Sequence, residues 1–488
     1  MSFFTTNWEV TMADAHEPIS AAACYDYILE KVFPLRPADY CEKYPQWPGM
    51  VGLELEMLPL WQSSVGLSKP ETVPLFGPKS LTTMLQTLKS RYPAWTFQVV
   101  PEEPDHLLNV QLDDADQLTF EPGGQLEFST RPYPCLGDAL RRLREVQSIV
   151  RGAAAESGIR VIQIGMNPWL TVDEIGLQMT KPRYRAMDSF FTAQGPEGRR
   201  MMRQTCTIQV NLDFGGTEEV LAKRYLISNL VAPFATAMFA NSPFLDGQAN
   251  GILSNRANNW QHMDPTRTGW PYLDTIVKRM DRKSCVDAYL DYALKGKVVF
   301  AQNLNYQVMD GRLSFADWID QGVEGLRPTL DDFKTHLSLL FPEARARGFI
   351  ELRSIDCQHE HWQSVPASFY TGLLYDEKSL DAALDLLLPL RPKLRAFWQK
   401  SIYGLRDDEL AAVAQKVARV ALQGTERLPS CFQGEGSGKL FTHFEQTLTQ
   451  RRLTPADLML EAARKDGHGR LTVAGLDRLA QSWAESIG

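Results

Sequence analysis

Three short runs of the chain alternate acidic and other polar residues with apolar ones: Leu53-Glu54-Leu55-Glu56-Met57, Gln125-Leu126-Glu127-Phe128 and Ile350-Glu351-Leu352-Arg353. A period of two is that of a β-strand, so each run reads as a strand with one apolar and one charged face. Glu54 and Glu56 then share a face opposite Leu53, Leu55 and Met57. Ahead of the second run, Pro122, Gly123 and Gly124 call for a tight turn, which brings Glu121 back beside the strand carrying Glu127. The plain alternative is a solvated polar face, with Glu351 and Arg353 as a surface ion pair. Three acid-bearing strands on one sheet face would repel one another unless cations or ligands held them. Mg²⁺ carrying substrate phosphates is the natural partner of such hard oxygens.

The pattern around these runs is α+β. Strands are expected at 51–58, 107–112, 117–120, 125–129, 159–165, 205–214 and 349–355, the first four in one antiparallel sheet. Helices are expected at 136–157 and 217–241, the second kinked or split by Pro233. Helical patterns then recur at 378–388, 407–423, 437–450, 455–464 and 472–485. The chain thus divides into an N-terminal segment (1–45), an α+β body (46–375) and a helical C-terminal region (376–488) packed on the body, with no obvious chemistry of its own.

Composition narrows the function classes. A net charge of −8 argues against a non-specific nucleic-acid binder, which needs a basic surface to displace counterions. The N-terminus lacks the basic start and apolar core of a leader. The apolar stretch 230–245 is broken by Pro233, Asn241 and Pro243, short of the roughly 20 residues that span a bilayer. No membrane association and a cytoplasmic setting are therefore expected. Seven scattered cysteines with no CxxC pair read as free thiols and exclude a zinc knuckle. Asp466, Gly467, His468 and Gly469 give a faint calcium-loop pattern but lack its alternating acids and closing glutamate.

The runs GLELEM, FEPGGQLEFST, KPRYRAM, MMRQTCTIQVNLDF, APFATAMFANSPF, GILSNR with DPTRTG, YLDYAL, FPEARARGFIELRSID and RLTPADLML resemble, in order, the blocks of plant and proteobacterial glutamate–cysteine ligases. The resemblance covers roughly residues 50 to 465. It implies a curved antiparallel sheet cupping the active site, as in glutamine synthetase and guanido kinases, with flanking helices and a helical tail. It also implies ATP as co-substrate, two or more Mg²⁺ ions and ligation of glutamate to cysteine through a γ-glutamyl phosphate, in a monomer or homodimer. The implied metal ligands are Glu54, Glu56, Glu121, Glu127, Glu351 and Gln209. Glu351 and Arg353 would serve catalysis, with Arg353 on the transferred phosphoryl group. Arg203 and Arg267 would grip glutamate carboxylates, helped by Thr205, Asn211 and Tyr184, and Lys181, Arg183 and Arg353 would meet nucleotide phosphates. Cys357 stands where relatives tend to have glycine. Another amine acceptor or acid donor, a ligase serving ergothioneine synthesis, and an inactive nucleotide-binding homologue stay open as alternatives.

Overall fold

A computed structural model describes residues 17–44, 47–67, 69–100, 103–112, 115–465 and 469–485. Residues 1–16 of the N-terminal segment, and Asp466, Gly467 and His468 of the calcium-loop pattern, lie outside the described residues.

Nine strands build one open sheet. In chain order they are β1 Val51–Trp61, β2 Thr96–Val100, β3 Glu103–Gln111, β4 Gln117–Phe120, β5 Leu126–Ser129, β6 Ile159–Ile162, β7 Ile208–Leu212, β8 Ala344–Ala346 and β9 Ile350–Leu352. The spatial order is β8-β9-β7-β1-β5-β4-β3-β2, with β6 pairing the far end of β1. Every pairing within it is antiparallel. The register sets Glu56 opposite Glu127, Glu54 opposite Gln209, and Glu351 opposite both Asn211 and Arg345. Because side chains alternate, these alignments gather the acids of β1, β5 and β9 on one face. The other face carries Leu53, Leu55, Met57, Leu126, Phe128, Ile208, Val210, Leu212, Ile350 and Leu352, all buried. Each contributes about 1.5–3 kcal/mol of apolar burial, and a one-residue slip of any strand would forfeit that along with the acidic face.

Helices Leu136–Glu156, Glu218–Met238 and Val365–Tyr375 lie against the sheet. The second runs through Pro233 as one element, so the helix is not split there. Proline costs a helix interior about 3 kcal/mol, but from Arg224 to Met238 every residue is buried, and that packing outweighs the lost hydrogen bond. The helices after residue 376 share the core with the sheet: a single hydrophobic cluster reaches from Ile19 to Trp483. Among the described residues no helix is long and apolar enough to cross a membrane, and the six described cysteine side chains are free.

Candidate active site

The acidic face of the sheet forms one wall of a cavity of about 250 Å³. Glu54 and Glu56 come from β1, Glu127 from β5 and Glu121 from the turn between β4 and β5. That turn is shaped by Gly124 at φ +85° and by Gly123, whose missing side chain lets the backbone of Arg203 approach. Gln125 folds back to bond the Gly123 N–H and donates to the Thr205 carbonyl, pinning the turn against β7's leading segment. Glu56, Glu121 and Glu127 offer oxygens that all lie within 4.8 Å of one another. Thr207 N–H donates to Glu56 at 2.9 Å and Thr119 Oγ1 to Glu127 at 2.8 Å. Burial, then mutual repulsion, pushes these carboxyls up: Glu54 to about 8 with Glu127 and Glu351 adding, Glu56 to about 8 with Glu127 adding, Glu121 to about 7 with Glu56 adding, and Glu127 to about 7 with Glu121 adding. A divalent cation among them would remove that repulsion, so the donor set fits Mg²⁺.

Toward β8 and β9 the same face turns basic: Arg345, Arg347 and Arg353, joined by Arg183 and Arg256 from two helices, line the same cavity. Glu351, wholly buried, is their hub. Arg345 reaches its two oxygens at 2.6 and 3.0 Å, Arg347 at 3.0 Å and Arg353 at 2.7 Å. Burial alone would raise the Glu351 carboxyl, but the three guanidinium groups hold it far below the usual range. Glu351 is among the expected metal ligands; here its oxygens are held by arginines, and a cation would have to share or displace one of them. Arg353 also donates to Gln209 Oε1 at 3.0 Å, which turns that amide oxygen toward the arginine. Arg256 lies over the Trp260 ring at 4.7 Å and donates to the Arg353 carbonyl at 2.8 Å. The Nε atoms of Arg256 and Arg353 are buried without a partner. Donors left so are costly unless a ligand satisfies them.

Of the other expected residues, Thr205 and Tyr184 line the cavity, and burial followed by the Glu121 charge pushes the Tyr184 hydroxyl up to about 12. Four do not reach it. Arg203 bonds Asp188 and the Val172 carbonyl, with its Nε buried and without a partner. Arg267 is fully buried, held by Asp264 at 2.8 Å and by the carbonyls of Leu339 and Lys297, both at 2.8 Å. Either would have to leave these partners to reach a ligand in the cavity. Lys181 is exposed at the start of helix Pro182–Thr192, and Asn211 is buried beside Glu351 but outside the lining. Among the cavity residues not foreseen are Arg256, Trp260, Arg345, Arg347 and Thr207. Arg345 and Arg347 had a readable signal: Ala344-Arg345-Ala346-Arg347 alternates like β9, and Gly348, at φ +86°, closes a hairpin between them. Cys357 fills its place beside Glu56, donating its thiol to the Glu56 carbonyl at 3.2 Å.

A larger cavity, about 640 Å³, lies between residues 261–274 and 391–398 and holds none of this carboxylate and arginine set. The chemistry therefore singles out the smaller one, a site for bringing anions together on an open antiparallel sheet. A solved glutamate–cysteine ligase from Francisella tularensis, in complex with AMP, has this fold: it aligns with 90% of this chain and 89% of its own at a TM-score of 0.52 and 13% identity. Among curated proteins, the chloroplastic glutamate–cysteine ligase of Arabidopsis thaliana is 33% identical over 371 residues, 74% of this chain and 68% of that protein. That of Medicago truncatula is 31% identical over 373 residues, covering 74% and 70%. The model of glutamate-cysteine ligase family 2 (GCS2) matches residues 50–472. The chain belongs to that family.

Proposed function

We propose that this protein joins the γ-carboxyl of glutamate to the amine of cysteine with consumption of ATP, giving γ-glutamylcysteine, the first step of glutathione biosynthesis. The observation that carries the reading is one cavity lined by five carboxyls and five arginines, in a chain of the glutamate–cysteine ligase family. The reaction brings a carboxylate to a triphosphate, anion to anion, so it needs fixed positive charge and a dry, oriented site. The γ-carboxylate oxygen attacks the terminal phosphorus and ADP leaves. The cysteine amine then attacks the acyl carbon, loses a proton and expels phosphate.

Glu54, Glu56, Glu121 and Glu127, with Gln209 alongside, would hold Mg²⁺, which when bound neutralises charge on the phosphate oxygens. Arg353, kept in place by Glu351 and Gln209, presents a permanently charged planar donor to the transferred phosphoryl group. Arg256 and Arg183 take over the carboxylate-binding task first expected of Arg203 and Arg267, being forks that open on the cavity. At about 250 Å³ the cavity is below the roughly 300 Å³ at which small-molecule sites begin. It suits the reacting ends, with the nucleoside outside. A cytoplasmic setting and a monomer or homodimer belong to the same proposal, although the curated relatives are chloroplastic.

Phosphate release from Mg-ATP, with glutamate fixed and the amine varied, tests this. Turnover that needs glutamate and cysteine together, and falls at least 100-fold in Arg353→Ala, is expected; about that much follows from losing one preorganised charge donor. Turnover with another amine would keep the chemistry and change the acceptor, whereas nucleotide binding without turnover would favour an inactive homologue.

A further inference from the structure

The basic end of the cavity is tied to the C-terminal helices by a buried hydrogen bond between two side chains that do not line it. Trp398, on helix Leu394–Ser401, is 5% exposed and donates its indole N–H to Glu343 Oε1 at 2.6 Å. Glu343 is as deeply buried and lies two residues before Arg345. Burial raises its carboxyl, and the bonds from Trp398 and Ser354, then the charges of Arg256 and Arg353, oppose that rise.

Backbone links radiate from the same point. The Arg353 N–H donates to the Glu343 carbonyl at 3.0 Å, and Arg256 donates in turn to the Arg353 carbonyl at 2.8 Å. From the helix carrying Arg256 and Trp260, Gln261 donates to the Trp398 carbonyl at 2.5 Å. Three arginine-bearing segments, 255–263, 343–347 and 351–354, thus converge on one tryptophan–glutamate pair. A buried carboxylate whose donor is removed seeks another, and the nearest cations here are the two arginines that face the substrate.

We propose that Trp398 is a positioning residue for the ligation: through Glu343 it fixes where Arg353 and Arg256 stand. This rests on the ligase reading above and deepens it, because it gives the C-terminal region a part in the chemistry. A guanidinium pulled back toward Glu343 is misplaced for the transition state more than for substrate binding, so the loss falls on kcat.

The test measures kcat and KM for Mg-ATP and glutamate in Trp398→Phe, Glu343→Gln, the double variant and Trp270→Phe, with thermal melts of each. Trp398→Phe keeps an aromatic ring beside Trp270, 5.5 Å away in the native pair, and removes the donor together with the five-membered ring, a cavity whose cost the melts read separately from kcat. A fall in kcat of about tenfold, with KM within twofold, is expected. Glu343→Gln, which keeps an accepting oxygen, should lose less, and the double variant should lose less than the product of the singles. Trp270→Phe should match wild type, since it touches the indole but not the hydrogen bond. Variants within twofold of wild type in kcat, losses that multiply independently, or losses that track melting temperature alone would overturn the positioning role while leaving the ligase reading intact. Should Trp398→Phe fail to fold, the milder Glu343→Gln decides by the same kcat criterion. Absence of glutamate- and cysteine-dependent turnover in the wild type would overturn both.

Discussion

Glu351 and Glu127 are both acids of the cavity, and their surroundings give them opposite roles. Glu351 sits among three guanidinium groups, so removing its charge leaves buried cations uncompensated. Glu127 sits among acids, so removing its charge relieves repulsion. In protein freed of divalent ions at pH 8, Glu351→Gln should lower stability by about 3 kcal/mol, within the range for a broken buried pair. Glu127→Gln should raise the melting temperature of the same metal-free protein and shrink the upward shift that added Mg²⁺ produces. Melts with and without Mg²⁺ check both, and a Glu351→Gln variant that is unharmed without metal would restore Glu351 to the ligand set. His336 supplies a prediction away from the cavity. It is buried against Phe315, its Nε2 bonds the Ala293 carbonyl at 2.8 Å, and burial, aided by the Arg267 charge, holds it down at about 3. The unfolded chain takes up a proton near pH 6.5 that the fold refuses, so this residue weakens the fold as pH falls below 6.5. Between about pH 7 and 5 the loss is about 2 kcal/mol. Urea titrations at the two pH values should find that His336→Gln removes that share of the decline. A parallel decline in variant and wild type would mean that His336 charges freely in the fold.

At the scale of elements, the turn between β4 and β5 decides whether Glu121 joins Glu127. Gly123 lies so close to Arg203 that an added Cβ would enter the Arg203 main chain, and backbone cannot give way as a flexible side chain can. Gly123→Ala should therefore push the turn off β7's leading segment, cost about 1–3 kcal/mol as overpacking does, and raise KM for Mg-ATP. A variant with unchanged melting and unchanged KM would mean that the turn has room to shift. This turn was legible in the sequence, because Pro-Gly-Gly between alternating runs specifies it, and so were the acids of β1 and β5, where a period of two needs no partner strand to be seen. The arginines divide along the same line. Arg353 could be placed from its own strand, and Arg345 and Arg347 needed only the hairpin through Gly348. Arg256 could not be found so: it stands on helix Asn255–Met263, and only tertiary packing brings it over the sheet. Arg203 and Arg267 are less legible: Asp264 stands three residues before Arg267 in the same run, but nothing local announces Asp188 or the distant carbonyls that also hold the pair. Pro233 does not split its helix, because burial on all sides outweighs the local rule.

For the whole molecule, the division at residue 376 follows a change of secondary structure that the core does not respect. Helix Val365–Tyr375 is buried along its entire length, and an apolar helix covered on every side has no face left for solvent. Part of its cover is helix Asp408–Arg427, which approaches so closely that a Cβ on Gly424 would meet the Gly372 carbonyl. Thr425 Oγ1 donates to the Ser368 carbonyl at 3.3 Å across the same seam. Further along, Phe444 stacks on Phe239 at 5.1 Å, and Trp362 packs edge-on against Phe444 at 5.3 Å. A chain cut after Tyr375 would expose Phe239, Trp362 and the outer side of that helix, and it would also lose Trp398 from behind the arginines. We expect such a fragment to be recovered only as aggregate, or as a species that binds hydrophobic dye and lacks a cooperative melt. Gly424→Val in the full chain should have a graded version of this effect, lowering stability by about 1–3 kcal/mol through overpacking of the seam. The paired experiment separates two kinds of C-terminal region. If the fragment melts cooperatively and still turns over, the helices are an appendage and the arginines stand without Trp398. If it does not, and Gly424→Val loses stability without loss of kcat, the seam holds the fold while the link from Trp398 to Glu343 serves the chemistry.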